Sequence, residues 1–258
     1  MAKTFDPNLL AGRAGIVTGA AGDIGLAIAT GLFEAGASVA LLDLDAALSA
    51  QGLPPALAGS ARVLRLGCDV SDPGQVARAV GEAARHFGSL DFVVNNAAAV
   101  TPGHDVADLP LADWEAAFRV NVTGAFLITQ AAIPHLRAAG GGVVLNIASQ
   151  LGHVTARGRS AYSASKAALL SLTRSIAVDH AAERIRAVSL SPGAVLTGRL
   201  LRRYGSAAQA SDTLAPRYPV NRLGTVDEIA RTAVFLIGGQ VGFMTGSDLL
   251  VDGGYTAV

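Results

Sequence analysis

The chain has 258 residues, twenty basic and twenty acidic, for a formal charge of +0 and a pI near 7.0, which gives no electrostatic footprint for nucleic acid or an anionic membrane. A single cysteine, Cys68, excludes an internal disulfide, and the opening Met-Ala-Lys-Thr-Phe-Asp-Pro-Asn lacks the apolar core of a secretion signal, so the cytoplasm is the expected compartment. The composition is 51% hydrophobic with 30 glycines and a mean hydropathy of +0.42, yet the longest uncharged stretches, Val120–Ile133 and Thr232–Ser247, fall short of the roughly 20 apolar residues of a spanning helix and are expected inside a core.

The first apolar run, Gly15–Thr18, leads directly into Thr18-Gly19-Ala20-Ala21-Gly22-Asp23-Ile24-Gly25 and then a helix pattern, Ile24–Glu34. A strand, a glycine turn and a helix start in this order form an anion cradle. Backbone N–H groups at the helix N-terminus attract a pyrophosphate, and side-chain-free positions permit its close approach. Glycines with this spacing alone are weak evidence; the strand and helix around them make dinucleotide binding the expectation over a merely structural turn. Asp43 ends the second predicted strand, Ser38–Asp43, about twenty residues downstream, where a carboxylate holds the adenosine ribose hydroxyls. It would repel a 2′-phosphate. With no arginine or lysine in Gly19–Gly25 or Leu41–Leu48 to compensate, the expected cofactor is NAD; the plainer role for Asp43 or Asp45 is to cap the next helix.

Strands follow at Arg62–Gly67, Asp91–Asn95, Gly142–Ala148, Ile185–Ser191 and Asp248–Val251, most of them continuously apolar, as for parallel strands covered on both faces. Helices are expected at Pro73–Phe87, Asp113–Ala138, Ala161–His180 and Val226–Ile237. Asp72-Pro73-Gly74-Gln75 supplies a capping carboxylate, a helix-starting proline and a glutamine at capping-box spacing, and Gly88 ends the same helix. The alternation predicts one α/β domain, a doubly wound parallel sheet with helices on both faces. Residues 199–219 show no period and are expected to form a mobile excursion over a site.

In Tyr162-Ser163-Ala164-Ser165-Lys166 a phenol and an ammonium share one helix face. A cation about 5 Å away at an effective dielectric near 20 contributes roughly 3 kcal/mol, enough to lower a phenol by about two pKa units. In isolation such a pair is more often an exposed helix surface. Its company decides: the glycine turn, Asn95-Asn96-Ala97, Asn121, Ser149, Tyr162-x-x-x-Lys166 and Pro192-Gly193, in this order, resemble the short-chain dehydrogenase/reductase family over essentially the whole chain.

That resemblance implies a Rossmann fold and a catalytic set of Asn121, Ser149, Tyr162 and Lys166. Tyr162 would be the general acid/base for a hydroxyl proton, and Lys166 would lower its pKa and bind the nicotinamide ribose. Ser149 would orient the substrate oxygen, and Asn121 would hold a water relaying protons to the lysine. It also implies cofactor contacts from Gly19, Gly22, Asp23, Ile24, Gly25 and Asp43. Asp69 and Val70 would lie beside the adenine, Asn96 and Ala97 in the turn after the fourth strand, and Pro192, Gly193, Val195 and Thr197 near the carboxamide. Relatives commonly form homotetramers through the long helices bearing Asn121 and Tyr162, with a subunit-contacting C-terminal end like Asp252-Gly253-Gly254-Tyr255.

Two departures stand out. Asp23 occupies a position where the family usually has glycine; a carboxylate facing a diphosphate would weaken binding, so it is expected to turn outward and cap the helix amides. Ala98 replaces the glycine after Asn-Asn-Ala and adds a methyl near the nicotinamide. Substrate contacts are expected from Ala98, Gln150, Leu151, His153 and Leu196. The histidines show no metal-ligand spacing, and no metal site is expected. The expected reaction is NAD-dependent hydride transfer to or from a secondary alcohol: a cyclic alcohol, polyol or sugar. A 3-oxoacyl thioester reductase shares every catalytic motif, but Asp43, Gly140 and Glu183 speak against NADPH use and carrier-protein docking. A non-catalytic NAD(H)-binding regulator is the third reading, opposed by the complete tetrad.

Overall fold

The computed structural model describes residues 5–99 and 101–258; the N-terminal residues weighed against a secretion signal lie partly outside them. Seven strands, β1 Ala14–Thr18, β2 Ser38–Asp43, β3 Val63–Gly67, β4 Phe92–Asn95, β5 Gly142–Ile147, β6 Ile185–Pro192 and β7 Asp248–Val251, pair in parallel in the order β3-β2-β1-β4-β5-β6-β7. The chain winds outward from β1 to β3, then returns to lay β4 on the other side of β1. The helices that follow β1 and β4 therefore lie on opposite faces and leave a crevice at the carboxyl ends of the strands, the usual ligand position in open α/β sheets.

Helices cover both faces. On one, α1 (Asp23–Glu34) and α9 (Val226–Ile237) enclose Ile28, Leu32, Val39, Leu41, Val94, Leu145, Val188 and Val234. On the other, α3 (Pro73–Phe87), α5 (Ala125–Ala138) and α6 (Ser160–His180) bury Ile16, Leu42, Val76, Val80, Ile128, Leu136, Val144 and Ile176. Both cores explain the continuously apolar strands. The Asp72 cap of α3 is present, its carboxylate accepting from Gly74 N at 2.8 Å and Gln75 N at 3.0 Å, and Gly88 closes the helix at φ 82°; Gln75 Oε1 accepts from Asp69 N at 2.9 Å and so does not complete a capping box.

Three local features differ from the sequence expectation. A short helix, α2 (Asp45–Ala50), follows β2. The helix expected over Asp113–Ala138 starts earlier, at α4 (Leu111–Phe118), and passes through one π-helical segment, Arg119–Gly124, before α5. This run, 111–138, is long and apolar enough to cross a membrane by length and composition, but Ile128, Ala132, Ile133 and Leu136 pack on the sheet. The stretch 199–219 contains α7 (Gly198–Tyr204), α8 (Ala207–Leu214) and a 3-10 turn. Thr197 and Ser206 cap the two helices, and Leu200, Tyr204 and Leu214 pack around Ala210, Tyr218 and Leu223 in a small separate core.

Candidate active site

A cleft of about 490 Å³ lies along the carboxyl ends of the strands. Its first part is shaped by what the side chains leave out. Gly19 sits at φ +63°, where a Cβ would come within 2.8 Å of the Ala97 Cα, and a Cβ on Gly25 would lie 2.2 Å from the Gly19 carbonyl oxygen. Thr18 joins the turns after β1 and β4: its Oγ1 accepts from the backbone N of Asn96 and Ala97 at 3.0 and 3.1 Å. The Asn96 amide returns two bonds, to the carbonyls of Thr18 and Gly19 at 2.9 and 3.0 Å. Gly22 stands at the N-cap of α1 with no side chain to engage the first-turn amides, which leaves them for an anion. These residues fit the diphosphate of a dinucleotide.

Further along, Asp43 Oδ2 accepts from Ala21 N at 2.9 Å and Oδ1 from Leu44 N at 2.8 Å. Leu44, not Asp43, is the N-cap of α2, so the carboxylate is fixed by the glycine turn rather than committed to the helix. Leu44, Cys68, Asp69, Val70 and Ser71 continue the wall. Asp69 Oδ1 accepts from Ser71 N and Oγ, at 2.9 and 2.8 Å.

The other part is built from polar side chains with buried support. Ser149 ends the segment after β5, and its Oγ accepts from Leu151 N at 3.1 Å. Tyr162 and Lys166 face the cleft from α6; the ammonium donates to the Ile147 carbonyl at 2.7 Å and lies 5.8 Å from the Tyr162 ring centroid. Asn121, only 1% exposed, comes from the π-helical segment and sits behind the wall. Its Oδ1 accepts from Ala99 N and its Nδ2 donates to Ser165 Oγ, both at 2.9 Å, while Ser165 donates to the Tyr162 carbonyl at 2.8 Å. Ser165, unremarked in the sequence, thus connects Asn121 to the helix that carries both Tyr162 and Lys166.

Electrostatics correct one expectation. Burial raises the Tyr162 phenol above its ordinary value; the Ser149 hydroxyl and the Arg199 guanidinium oppose that rise. Burial also pushes the Lys166 ammonium down to about 7, with repulsion from Arg199 added. The expectation that the lysine lowers the phenol left out the cost of dehydrating both groups, and burial is the largest influence on each of them here.

Most residues expected at the site line the cleft: Gly19, Gly22, Asp23, Ile24, Gly25, Asp43, Asp69, Val70, Asn96, Ala97, Ala98, Ser149, Tyr162, Lys166, Pro192, Gly193 and Thr197. Others stand outside its lining. Val195 is buried and bridges to Gly224, and Leu196, 39% exposed, donates its N–H to the Gly224 carbonyl at 2.9 Å. Gln150 is buried with its Nε2 donating to Tyr218 Oη at 3.0 Å, and Leu151 lies beside it, half-buried, in the same short turn. His153 pairs with Asp248 at 2.7 Å, and Asp248 also accepts from Ser191 Oγ at 2.9 Å, which ties His153 to β7.

Asp23 does not cap α1. Its Oδ2 accepts from Gly198 N at 3.0 Å, so it stays in the cleft wall and fastens the start of α7, a partner far away in sequence. Arg199 and Arg202 line the cleft from α7, within the stretch 199–219 expected to lie over a site, and Arg119 lines it from the π-helical segment, where nothing in the sequence pointed to it. The available signal was that Arg199 stands two positions after Thr197.

A family model described as enoyl-(acyl carrier protein) reductase matches residues 19–256. The cis-4-hydroxycyclohexanecarboxylate dehydrogenase of Sinomonas cyclohexanicum is 39% identical over 95% of this chain and 97% of its own. The chain belongs to the short-chain dehydrogenase/reductase family. The 2-(R)-hydroxypropyl-CoM dehydrogenase of Xanthobacter autotrophicus is 38% identical over 95% of this chain and 99% of its own. A gluconate 5-dehydrogenase from Burkholderia cenocepacia, solved in complex with NADP and tartrate, matches with a TM-score of 0.86 and 32% identity over 98% of both chains. Like these short-chain dehydrogenases, the protein is an oxidoreductase of the alcohol dehydrogenase/ketone reductase type that uses a nicotinamide cofactor.

Proposed function

We propose that the protein moves a hydride between a secondary alcohol and NAD, with Tyr162 handling the hydroxyl proton and with cyclic alcohols, polyols or sugars as the substrate class. The observation that carries this reading is the convergence of Ser149, Tyr162 and Lys166 on one wall at the end of a glycine-lined anion cradle. In that arrangement Gly19, Gly22, Ile24 and Gly25 hold the diphosphate, Asp43 the adenosine ribose, Asp69 and Val70 the adenine, and Asn96, Ala97, Pro192, Gly193 and Thr197 the nicotinamide half. A bound nicotinamide supplies the hydride acceptor or donor. Ser149 orients the substrate oxygen by hydrogen bonding, Tyr162 takes or returns its proton, and Lys166 passes that proton onward, a role suited to an ammonium held near neutrality. Asn121 positions this relay through Ser165.

The preference for NAD rests on Asp43, whose carboxylate is anchored by Ala21 N next to the cradle. The solved relative carries NADP, so the cofactor is a direct experimental question. Exposed apolar side chains on the long helices, Leu111, Phe126 and Val178, support a homotetramer formed through them, and the buried free thiol of Cys68 fits a cytoplasmic enzyme. The single domain would open and close its site by movement of residues 199–219. The test is a panel of secondary alcohols, polyols and aldoses with NAD and with NADP, followed at 340 nm, alongside reduction of an acetoacetyl thioester with NADPH. NAD-linked oxidation of the alcohols supports the reading. A preference for NADP overturns the role of Asp43, and efficient thioester reduction in place of alcohol oxidation overturns the substrate class.

A further inference from the structure

The reaction end of the cleft holds more positive charge than a proton relay requires. Besides Lys166, Arg199 reaches in from the first turn of α7 and donates to the Ala98 carbonyl at 3.3 Å. Arg202 follows three residues later, and residues at this spacing share a helix face. Both line the cleft. Among the described residues no ion pair includes either of them.

The two arginines serve different ends. A Cβ on Gly198 would lie 3.4 Å from Arg202 Nη1 and 3.5 Å from Asp23 Oδ2, so Arg202 stands beside Gly198 with the Asp23 carboxylate close by. Arg199 is engaged instead with Ala98, and its charge acts on both Tyr162 and Lys166. Once cofactor and substrate exclude water, a neutral alcohol would leave this second cation uncompensated beside the lysine. A carboxylate would neutralise it, and its two oxygens match the planar guanidinium fork.

We propose that Arg199 reads an anionic group on the substrate, and that the preferred substrate is a hydroxy acid, held by its hydroxyl at Ser149 and Tyr162 and by its carboxylate on the Arg199 guanidinium. This rests on the alcohol-oxidation reading above and narrows it. The competing source of the same chemistry is the cofactor diphosphate.

The experiment compares kcat/KM for matched pairs that differ by a carboxylate, hydroxycyclohexanecarboxylates against cyclohexanol and 3-hydroxybutyrate against 2-butanol, in the native enzyme, Arg199→Ala and Arg199→Lys. In parallel, NADH is titrated onto each protein, and cyclohexanecarboxylate, which has no hydroxyl to react, onto each NADH complex. The native enzyme is expected to favour the acid of each pair by about 100-fold or more, Arg199→Ala to remove about 100-fold of that ratio, and Arg199→Lys to recover part of it. Cyclohexanecarboxylate should bind at least about tenfold more weakly to Arg199→Ala, with the NADH affinity altered by less than about threefold. Equal use of acid and alcohol by the native enzyme overturns the proposal. So does an Arg199→Ala variant that loses NADH affinity in step with turnover of both pair members, which assigns Arg199 to the diphosphate. Arginine-dependent carboxylate binding without turnover of any alcohol supports the anion site and overturns the oxidation reading instead.

Discussion

At the turn after β1 the cleft is shaped by side chains that are absent, Gly19, Gly22 and Gly25, and by backbone amides; at the far end it is shaped by polar side chains, with Asn121, Ser149 and Lys166 each less than a tenth exposed. The first part has almost no steric tolerance at Gly19 and Gly25, because the chain approaches itself: Thr18, Gly19 and Asn96 are in mutual contact. The second part is packed around hydrogen bonds, so its residues can be exchanged for near-isosteres without moving the backbone. A substitution in the cradle should therefore act through geometry and binding, whereas one at the reaction end should act through chemistry.

The largest effect is expected at the reaction end. Tyr162→Phe keeps the ring and removes the acid/base, so kcat should fall by about a thousandfold or more while NADH binding, followed by fluorescence titration, stays within about threefold. Substantial residual turnover would break the division between chemistry and binding. In the cradle, Gly25→Ala places a methyl 2.2 Å from the Gly19 carbonyl and should cost about 2–4 kcal/mol of stability together with most of the cofactor affinity. Gly22→Ala meets nothing closer than 3.4 Å and is the control, expected to change the melting temperature little. Equal effects from the two would contradict the close-approach argument.

Asp43→Ala lies between the two regimes, because it alters a charge without crowding the cradle. It should reduce the NAD-over-NADP ratio of kcat/KM by about 100-fold, mainly through the KM for NAD. The smallest effect is in stability against pH. Lys166 titrates at about 7 in the fold and at 10.5 ordinarily, so between these values the unfolded chain binds a proton that the folded chain does not. By linkage its contribution is unfavourable below about 7 and improves as pH rises toward 10.5. Urea unfolding of the cofactor-free protein should show this rise relative to Lys166→Met, and a flat difference between the two would oppose it.

Much of this contrast was legible in the residues themselves. All seven strands are placed within a residue or two, most of them by continuous apolar runs of the kind a parallel sheet buried on both faces needs. The glycine turn was equally readable, since close backbone approach leaves few alternatives to glycine. What escaped depends on partners distant in sequence. Asp23 was expected to cap its own helix and instead bonds Gly198. Periodicity cannot distinguish a π-helical turn from the α-helix around it, so the segment presenting Asn121 was hidden inside one long helix. Helices α7 and α8 are too short for a period, although Thr197 and Ser206 at their caps were a usable signal. The acidity of Tyr162 and Lys166 depends on how deeply the fold dehydrates them, and helix spacing carries no information about depth.

The central claim is that the glycine cradle and the Tyr162 wall form one site in which an alcohol and a nicotinamide meet. Its most direct test uses the alcohol oxidised fastest in the panel, prepared with deuterium on its carbinol carbon, and mass analysis of the reduced cofactor formed. One deuterium is expected in each NADH formed, and no labelled NADH with Tyr162→Phe over the same interval. Unlabelled NADH, or no NADH from any alcohol in the panel, would contradict it.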